Sequence, residues 1–222
     1  MKNKLNVLYE DNHIIVVEKP FNILSQKDNT NDIDMLEIIK DYLKVKYNKK
    51  GNVYLGLVHR LDRPTGGVMV FAKTSKAASR LSKSMNEGLF NKVYLAIIHG
   101  KLNTKEGVFE DNILKKDNND SEINKNGKYA KLEYKVLKEQ DDLSLVKVKL
   151  LTGRHHQIRI QFASRGYPLY GDQRYGIQDK KQLALYAYSL SFPHPITKEI
   201  LTFKELPKGA IWEKFEINKI DL

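Results

Sequence analysis

Apolar and polar residues along this chain change their period several times, and the changes mark its elements. Residues 7–10 and 14–17 read as a hairpin, turned at Asp11 and Asn12 and closed by Lys19 and Pro20. Between 35 and 47, Met35, Leu36, Ile38, Ile39, Tyr42 and Leu43 recur at helical spacing behind Asp34, a cap candidate. Residues 48–52 form a polar loop. A short strand at 56–58, a turn-rich segment and a second strand at 68–72 follow. Thr74 is placed to cap a helix running to about Asn86. Its apolar face carries Ala77, Ala78, Leu81 and Met85, and Gly88 lies beyond its end.

Residues 93–98 are a continuous β-rich run, as a buried strand requires. Residues 115–128 are polar and Asn-rich, the pattern of an exposed loop. Segments 131–137 and 144–150 alternate apolar and polar, which predicts a half-buried strand pair. A helix is expected at 155–164, stopped by Gly166 and Pro168. Two more strands are expected at 184–192 and 200–203. Strands outnumber helices, and short turns favour antiparallel pairing. The expected class is α+β, as one domain over residues 1–222, with no internal repeat, linker or heptad pattern.

Composition narrows the partners. No stretch approaches the roughly 20 apolar residues needed to cross a bilayer, and the opening MKNKLNVLYED has no apolar run of a secretory signal. The absence of Cys excludes disulfides, thiolate zinc sites and Cys nucleophiles, and points to the cytoplasm. A net charge of +11 suits a polyanionic partner, but a Lys- and Asn-rich chain can carry such charge as solvated surface alone.

Arginine is more selective. Only seven of the 38 cations are Arg, and six fall in two regions, Arg60 and Arg63, then Arg154, Arg159, Arg165 and Arg174, which hold three stretches of candidate chemistry. Guanidinium offers a planar fork and a stacking face that ammonium lacks. The first stretch is His59-Arg60-Leu61-Asp62-Arg63-Pro64-Thr65-Gly66-Gly67. Its Asp62, flanked by cations, should remain ionised; the same pattern could be a salt bridge pinning a turn. The second runs from Leu151 to Arg159 at a strand-to-helix junction, where free N–H groups favour anions. Its adjacent His155 and His156 make a poor metal pair, and no metal is expected. The third, Tyr170 to Gly176, suits stacking on RNA bases or equally a packed loop.

HRLDRPTGG resembles the HRLDxxTSG signature of the RluA-type family of RNA pseudouridine synthases. Five further segments follow the family's order: DNHIIVVEKPFNILS, NKVYLAIIHG, LLTGRHHQIRI, YPLYGDQRYG and LALYAYSLSFPHPITKE. The resemblance implies the pseudouridine synthase fold, a mostly antiparallel mixed sheet flanked by helices and loops. It also implies an isomerase of specific uridines in ribosomal or transfer RNA, without a cofactor. Asp62 matches the essential carboxylate, and Arg60 the side chain that enters the RNA as the base leaves the stack. Tyr94, in the KxYxA pattern starting at Lys92, matches the Tyr that packs on uracil. Arg154 matches the Arg that pairs with the catalytic Asp, while Arg63, Arg159 and Arg174 are further candidates for RNA contact.

Three positions depart from the pattern: Gly66 for Ser in TSG, Gln161 for His after the second Arg motif, and Tyr186 for His in LHA. Many relatives carry an N-terminal S4 RNA-binding domain. Since this chain begins close to the first hairpin, RNA recognition is expected to rest on the catalytic domain, acting as a monomer. Two other readings compete. One is a silent RNA-binding protein on the same fold. The other is a retaining glycoside hydrolase using Glu18, Glu110 or Asp172 as second carboxylate, although none lies in an acidic motif beside Asp62.

Overall fold

The computed structural model describes residues 5–30 and 32–222, so the first four residues of the opening segment and Asn31 lie outside the described residues. Contacts divide the chain into two compact units. One comprises Met1–Asn91 and Ser189–Glu205, the other Lys92–Tyr188 and Leu206–Leu222.

In the first unit, β1 (Val7–Glu10) and β2 (Ile14–Lys19) form the expected hairpin. The Asp11 carboxylate shapes its turn by accepting from the backbone N–H groups of His13 and Ile14, at 2.7 and 2.8 Å. Helix α1 (Met35–Lys46) starts where Asp34 accepts from the Glu37 N–H, and it buries Met35, Ile39 and Leu43. β3 (Gly56–Leu57) and β4 (Gly66–Ala72) flank the HRLDRPT segment. β4 pairs antiparallel with β2 from Lys19↔Gly67 to Ile14↔Ala72. All seven β4 residues are buried, which explains its unbroken apolar run. Thr74 caps α2 (Ser75–Asn86) by accepting from the Ala77 N–H. Val16, Val70, Leu81, Phe90 and Phe192 meet in this unit's core, where Phe90 stacks on Phe192 at 5.2 Å.

The second unit contains five strands side by side: β5 (Asn91–His99), β9 (Leu143–Leu150), β8 (Lys128–Gln140), β6 (Glu106–Lys115) and β7 (Ser121–Ile123). Every pairing among them is antiparallel. Phe109 of β6 meets Tyr134 of β8 at 4.7 Å and Phe162 of α3 (Gln157–Ala163) at 5.0 Å, forming an aromatic knot under the helix. The chain enters the first unit within β10 (Leu185–Pro193), whose last five residues pair with β11 (Ile200–Lys204). A short α4 (Ala210–Lys214) and a 3₁₀ turn at Ile217–Lys219 complete the second unit.

The α+β class holds, with two departures. Residues 115–128 are not simply a loop: β6, β7 and the start of β8 form a hairpin extension there. Burial along β6 alternates, but two of its inward positions are Gly107 and Asp111 while outward Val108 is half exposed, so its apolar residues show no period of two. The helix expected from 155 starts at Gln157 instead. His156 sits in the left-handed region at φ 53°, and its ring stacks on His155 at 3.7 Å.

Candidate active site

The connection from β3 to β4 carries Asp62 with its side chain half buried. Its carbonyl accepts from the Thr65 N–H at 3.0 Å, closing a tight turn over Arg63 and Pro64. Two residues of the DNHIIVVEKPFNILS segment hold this loop. The Ser25 hydroxyl donates to the Leu61 carbonyl at 2.7 Å and accepts from the Leu61 N–H at 3.1 Å. A single side chain thus satisfies both backbone groups of the residue preceding Asp62.

Lys19 is the second anchor and is fully buried. Its ammonium donates to the carbonyls of Pro20 (3.0 Å), Ile23 (2.5 Å) and Arg63 (3.0 Å), which matches its three N–H groups to three acceptors. Burial pushes its pKa down to about 7, opposed by the nearby Asp62 charge and assisted by Arg63. The cation placed under the Asp62 loop is therefore a lysine that motif reading had used only to close a strand. Its available signal was a lone Lys ending an apolar run before Pro20.

The two arginines of HRLDRPTGG point to other partners. Arg63 pairs with Asp32 at 2.7 Å, both side chains about half exposed, and Arg60 is exposed. The His59 Nε2 accepts from the Val70 N–H at 3.2 Å, which ties the loop back to β4. Among the described residues, the buried Thr65 hydroxyl has no protein hydrogen-bond partner.

In the second unit, Tyr94 is buried on β5, opposite Val148 of β9. Arg154 leaves the end of β9 on a loop stitched to β8. The Gln157 Oε1 accepts from the Arg154 N–H (2.9 Å) and from the Thr152 hydroxyl (2.8 Å). Thr152 Oγ1 in turn accepts from the Lys131 N–H at 2.8 Å. The Arg154 Nε donates to the Tyr129 carbonyl at 2.8 Å, which commits one edge of the guanidinium. Lys92, two residues before Tyr94, lies beside this loop. Burial and the Arg154 charge both lower its pKa.

Arg159 is not the solvent-facing group that the Arg pattern suggested. It is 6% exposed and forks onto Asp172, itself 1% exposed, through Nε (2.8 Å) and Nη2 (2.7 Å). Asp172 also accepts from the backbone N–H groups of Arg174 and Tyr175. Burial works to raise its carboxyl, and Arg159 with those N–H groups outweighs it, leaving a net lowering. The Tyr175 hydroxyl accepts from the Ser121 N–H at 2.7 Å and lies 2.8 Å from His156 Nδ1. Burial, then the charges of Arg159, His155 and Arg174, push His156 down to about 2, so its ring is neutral. Arg174 is exposed, pairing with Asp120 at 2.9 Å and donating to the Asn119 carbonyl. The second-carboxylate candidates are engaged: Asp172 as above, Glu110 with Lys131 at 2.6 Å, and Glu18 with Asn6. Among the described residues there is no cluster of metal ligands and no helix long and apolar enough to cross a membrane.

Comparison with known proteins gives one answer. A family profile described as RNA pseudouridylate synthase matches residues 13–164. An uncharacterized RNA pseudouridine synthase of Aquifex aeolicus is 35% identical, the match covering 90% of this chain and 68% of the relative. The ribosomal large subunit pseudouridine synthase C of Buchnera aphidicola is 33% identical, over 88% of this chain and 65% of its own. The chain thus spans about two thirds of each relative's length. Human RNA Pseudouridylate Synthase Domain Containing 4 superposes with a TM-score of 0.80 at 22% identity, over 98% of this chain and 94% of that one. That likeness establishes the pseudouridine synthase fold. Enzymes of this kind are isomerases that modify RNA, and the chain belongs to the RNA pseudouridylate synthase family.

Proposed function

We propose that this protein converts specific uridines of large-subunit ribosomal RNA to pseudouridine, with Asp62 as the catalytic carboxylate and no cofactor. The observation that carries the reading is the Asp62 loop, held at Arg63 by Lys19 and at Leu61 by Ser25 while Asp62 itself is only partly buried. Such anchoring suits a group that must meet a substrate in a fixed geometry. The name of the Buchnera relative supports ribosomal RNA over transfer RNA.

In this reading the target uridine leaves its stack before reaction, and exposed Arg60 enters the space it vacates. Asp62 assists cleavage of the bond from C1′ to N1. The uracil turns and bonds C1′ through C5; C5 then loses a proton while N1 gains one, so atoms balance without redox chemistry. Tyr94 packs on the uracil and receives the C5 proton. Arg154, whose Nε is already committed, offers its remaining N–H groups to the Asp62 charge. Arg63 and Arg174, both near the surface, guide the RNA backbone, while Arg159 supports the loop that presents Arg174. The whole chain serves this single reaction as one catalytic domain, monomeric, in the cytoplasm.

Tritium release from a large-subunit ribosomal RNA transcript labelled at uracil C5 tests the proposal. Wild type releases tritium and Asp62→Asn binds the same transcript without releasing it. Equal release by both would refute the assignment of Asp62, and a silent RNA-binding protein would release none in either form. Free uracil in the wild-type reaction would instead favour glycoside hydrolysis. Light scattering checks the monomer.

A further inference from the structure

Residues two apart on a strand share a face, so Lys92 and Tyr94 of β5 stand side by side. Lys92 is opposite Leu150, the last residue of β9, and Tyr94 is opposite Val148. The loop that leaves β9 therefore starts level with Lys92. Gly153 of that loop lies against the ammonium: a Cβ there would sit 3.4 Å from Lys92 Nζ. Arg154 follows directly, and its positive charge acts on Lys92.

These two cations lack compensation within their unit. Among its described residues, no carboxylate pairs with Lys92 or Arg154, whereas neighbouring Lys131 and Lys149 pair with Glu110 and Glu133. A partly desolvated ammonium beside a guanidinium is unfavourable, and burial with Arg154 already shifts Lys92 toward its neutral form. An exposed lysine would avoid that penalty. The position of Lys92 on the Tyr94 face of β5, with Gly153 beside the amine, keeps it partly buried instead. Such an arrangement is relieved by an arriving anion, and a nucleotide lying on Tyr94 carries its phosphates within a few ångströms of its base.

We propose that Lys92 binds a backbone phosphate of the everted uridine, forming a phosphate subsite with the Gly153–Arg154 segment that fixes the nucleotide while its base rests on Tyr94. This rests on the proposed function and adds to it a group that recognises the target nucleotide without reading its base. Arg154 has its Nε turned to the Tyr129 carbonyl, so the ammonium, as a compact rotatable donor, is the group available to a tetrahedral anion at this face.

The test compares wild type with Lys92→Met, Lys92→Gln and Lys92→Arg, as full chains, on the large-subunit transcript. In filter binding from 50 to 300 mM salt, loss of one phosphate contact lowers the slope of log K against log salt by about one for Met and Gln; Arg restores most of it. In single-turnover tritium release the half-saturating enzyme concentration rises about tenfold while the limiting rate changes less, as expected for a lost charged contact to RNA. Thermal melting stays level or rises, because a partly desolvated charge beside a guanidinium has gone. An unchanged salt slope overturns the phosphate subsite even if the rate falls, since that result assigns Lys92 to a protein anion. No tritium release from wild type would sink the proposed function while leaving the slope comparison able to decide the subsite.

Discussion

The Arg159–Asp172 pair makes a quantitative prediction, because both partners are almost wholly buried and the carboxylate receives four N–H groups. Arg159→Met removes two of those donors and leaves an ionised carboxylate without its counter-charge. Breaking a buried pair in this way costs about 3–5 kcal/mol, a large share of the roughly 5–15 kcal/mol that holds a domain together. For a chain of 222 residues the melting point should fall by about 10 °C. The pH dependence supplies an independent sign. In the wild type Asp172 lies below its ordinary 3.8, so its contribution is present above that pH and is lost as acid protonates it in the folded state. Without Arg159, burial dominates and the folded carboxyl rises above 3.8. Folded variant then holds a proton that the unfolded chain releases, and its deficit grows from pH 4 to pH 7. Urea unfolding at half-unit steps across that range, followed by tryptophan fluorescence, reads both effects. Asp172→Asn keeps acceptors for the two backbone N–H groups, and in the double variant the losses should fall short of additive by at least about 1 kcal/mol. A cost below about 1 kcal/mol at pH 7, or a deficit that does not shrink toward pH 4, would refute this account.

Three further outcomes are expected. Ser25→Ala should cost about 1–2 kcal/mol by uncoupling both Leu61 backbone groups, with faster hydrogen exchange at the Leu61 amide and slower tritium release; unchanged exchange would contradict the bracket. Lys19 is depressed to about 7, so relief of its buried charge makes wild-type stability rise between pH 7 and about 10.5, a trend absent from Lys19→Met in urea titrations at pH 7, 8.5 and 10. Glu10 lies at about 2 because its bonds to Lys46, Lys73 and Tyr47 outweigh its burial. Its contribution is present above 4.5 and lost as pH falls toward 2, and Glu10→Gln should abolish that acid sensitivity in melting scans from pH 5 to 2.

Where local chemistry decides structure, the chain could be read directly. Asp34 and Thr74 start helices because each side chain bonds an N–H three residues on, a relation contained in the sequence itself. β2 and β4 were visible because burial on both faces demands unbroken apolar runs. β6 was hidden because Gly107 and Asp111 take two of its inward positions, leaving only Phe109 and Ile113 as inward apolar residues on a partly exposed extension. Long-range pairing accounts for the rest. Arg159 looks like a surface cation until Asp172, thirteen residues later, is seen to enclose it. Lys19 and Arg63 are 44 residues apart, and nothing local announces that an ammonium will bind that carbonyl. Likewise, the KxYxA pattern drew attention to Tyr94, and only the register of β5 against β9 brings Lys92 level with the Arg154 loop.

The way Ser25 grips Leu61 has a bearing on transplantation. A loop whose position derived from its own flanking strands could be moved to another scaffold with those strands alone. Here the reference frame is a distant stretch, residues 19–25, contributing one hydroxyl and one ammonium. HRLDRPT grafted without that stretch would keep its sequence and lose its coordinates, so the two segments form a single heritable module despite their separation along the chain.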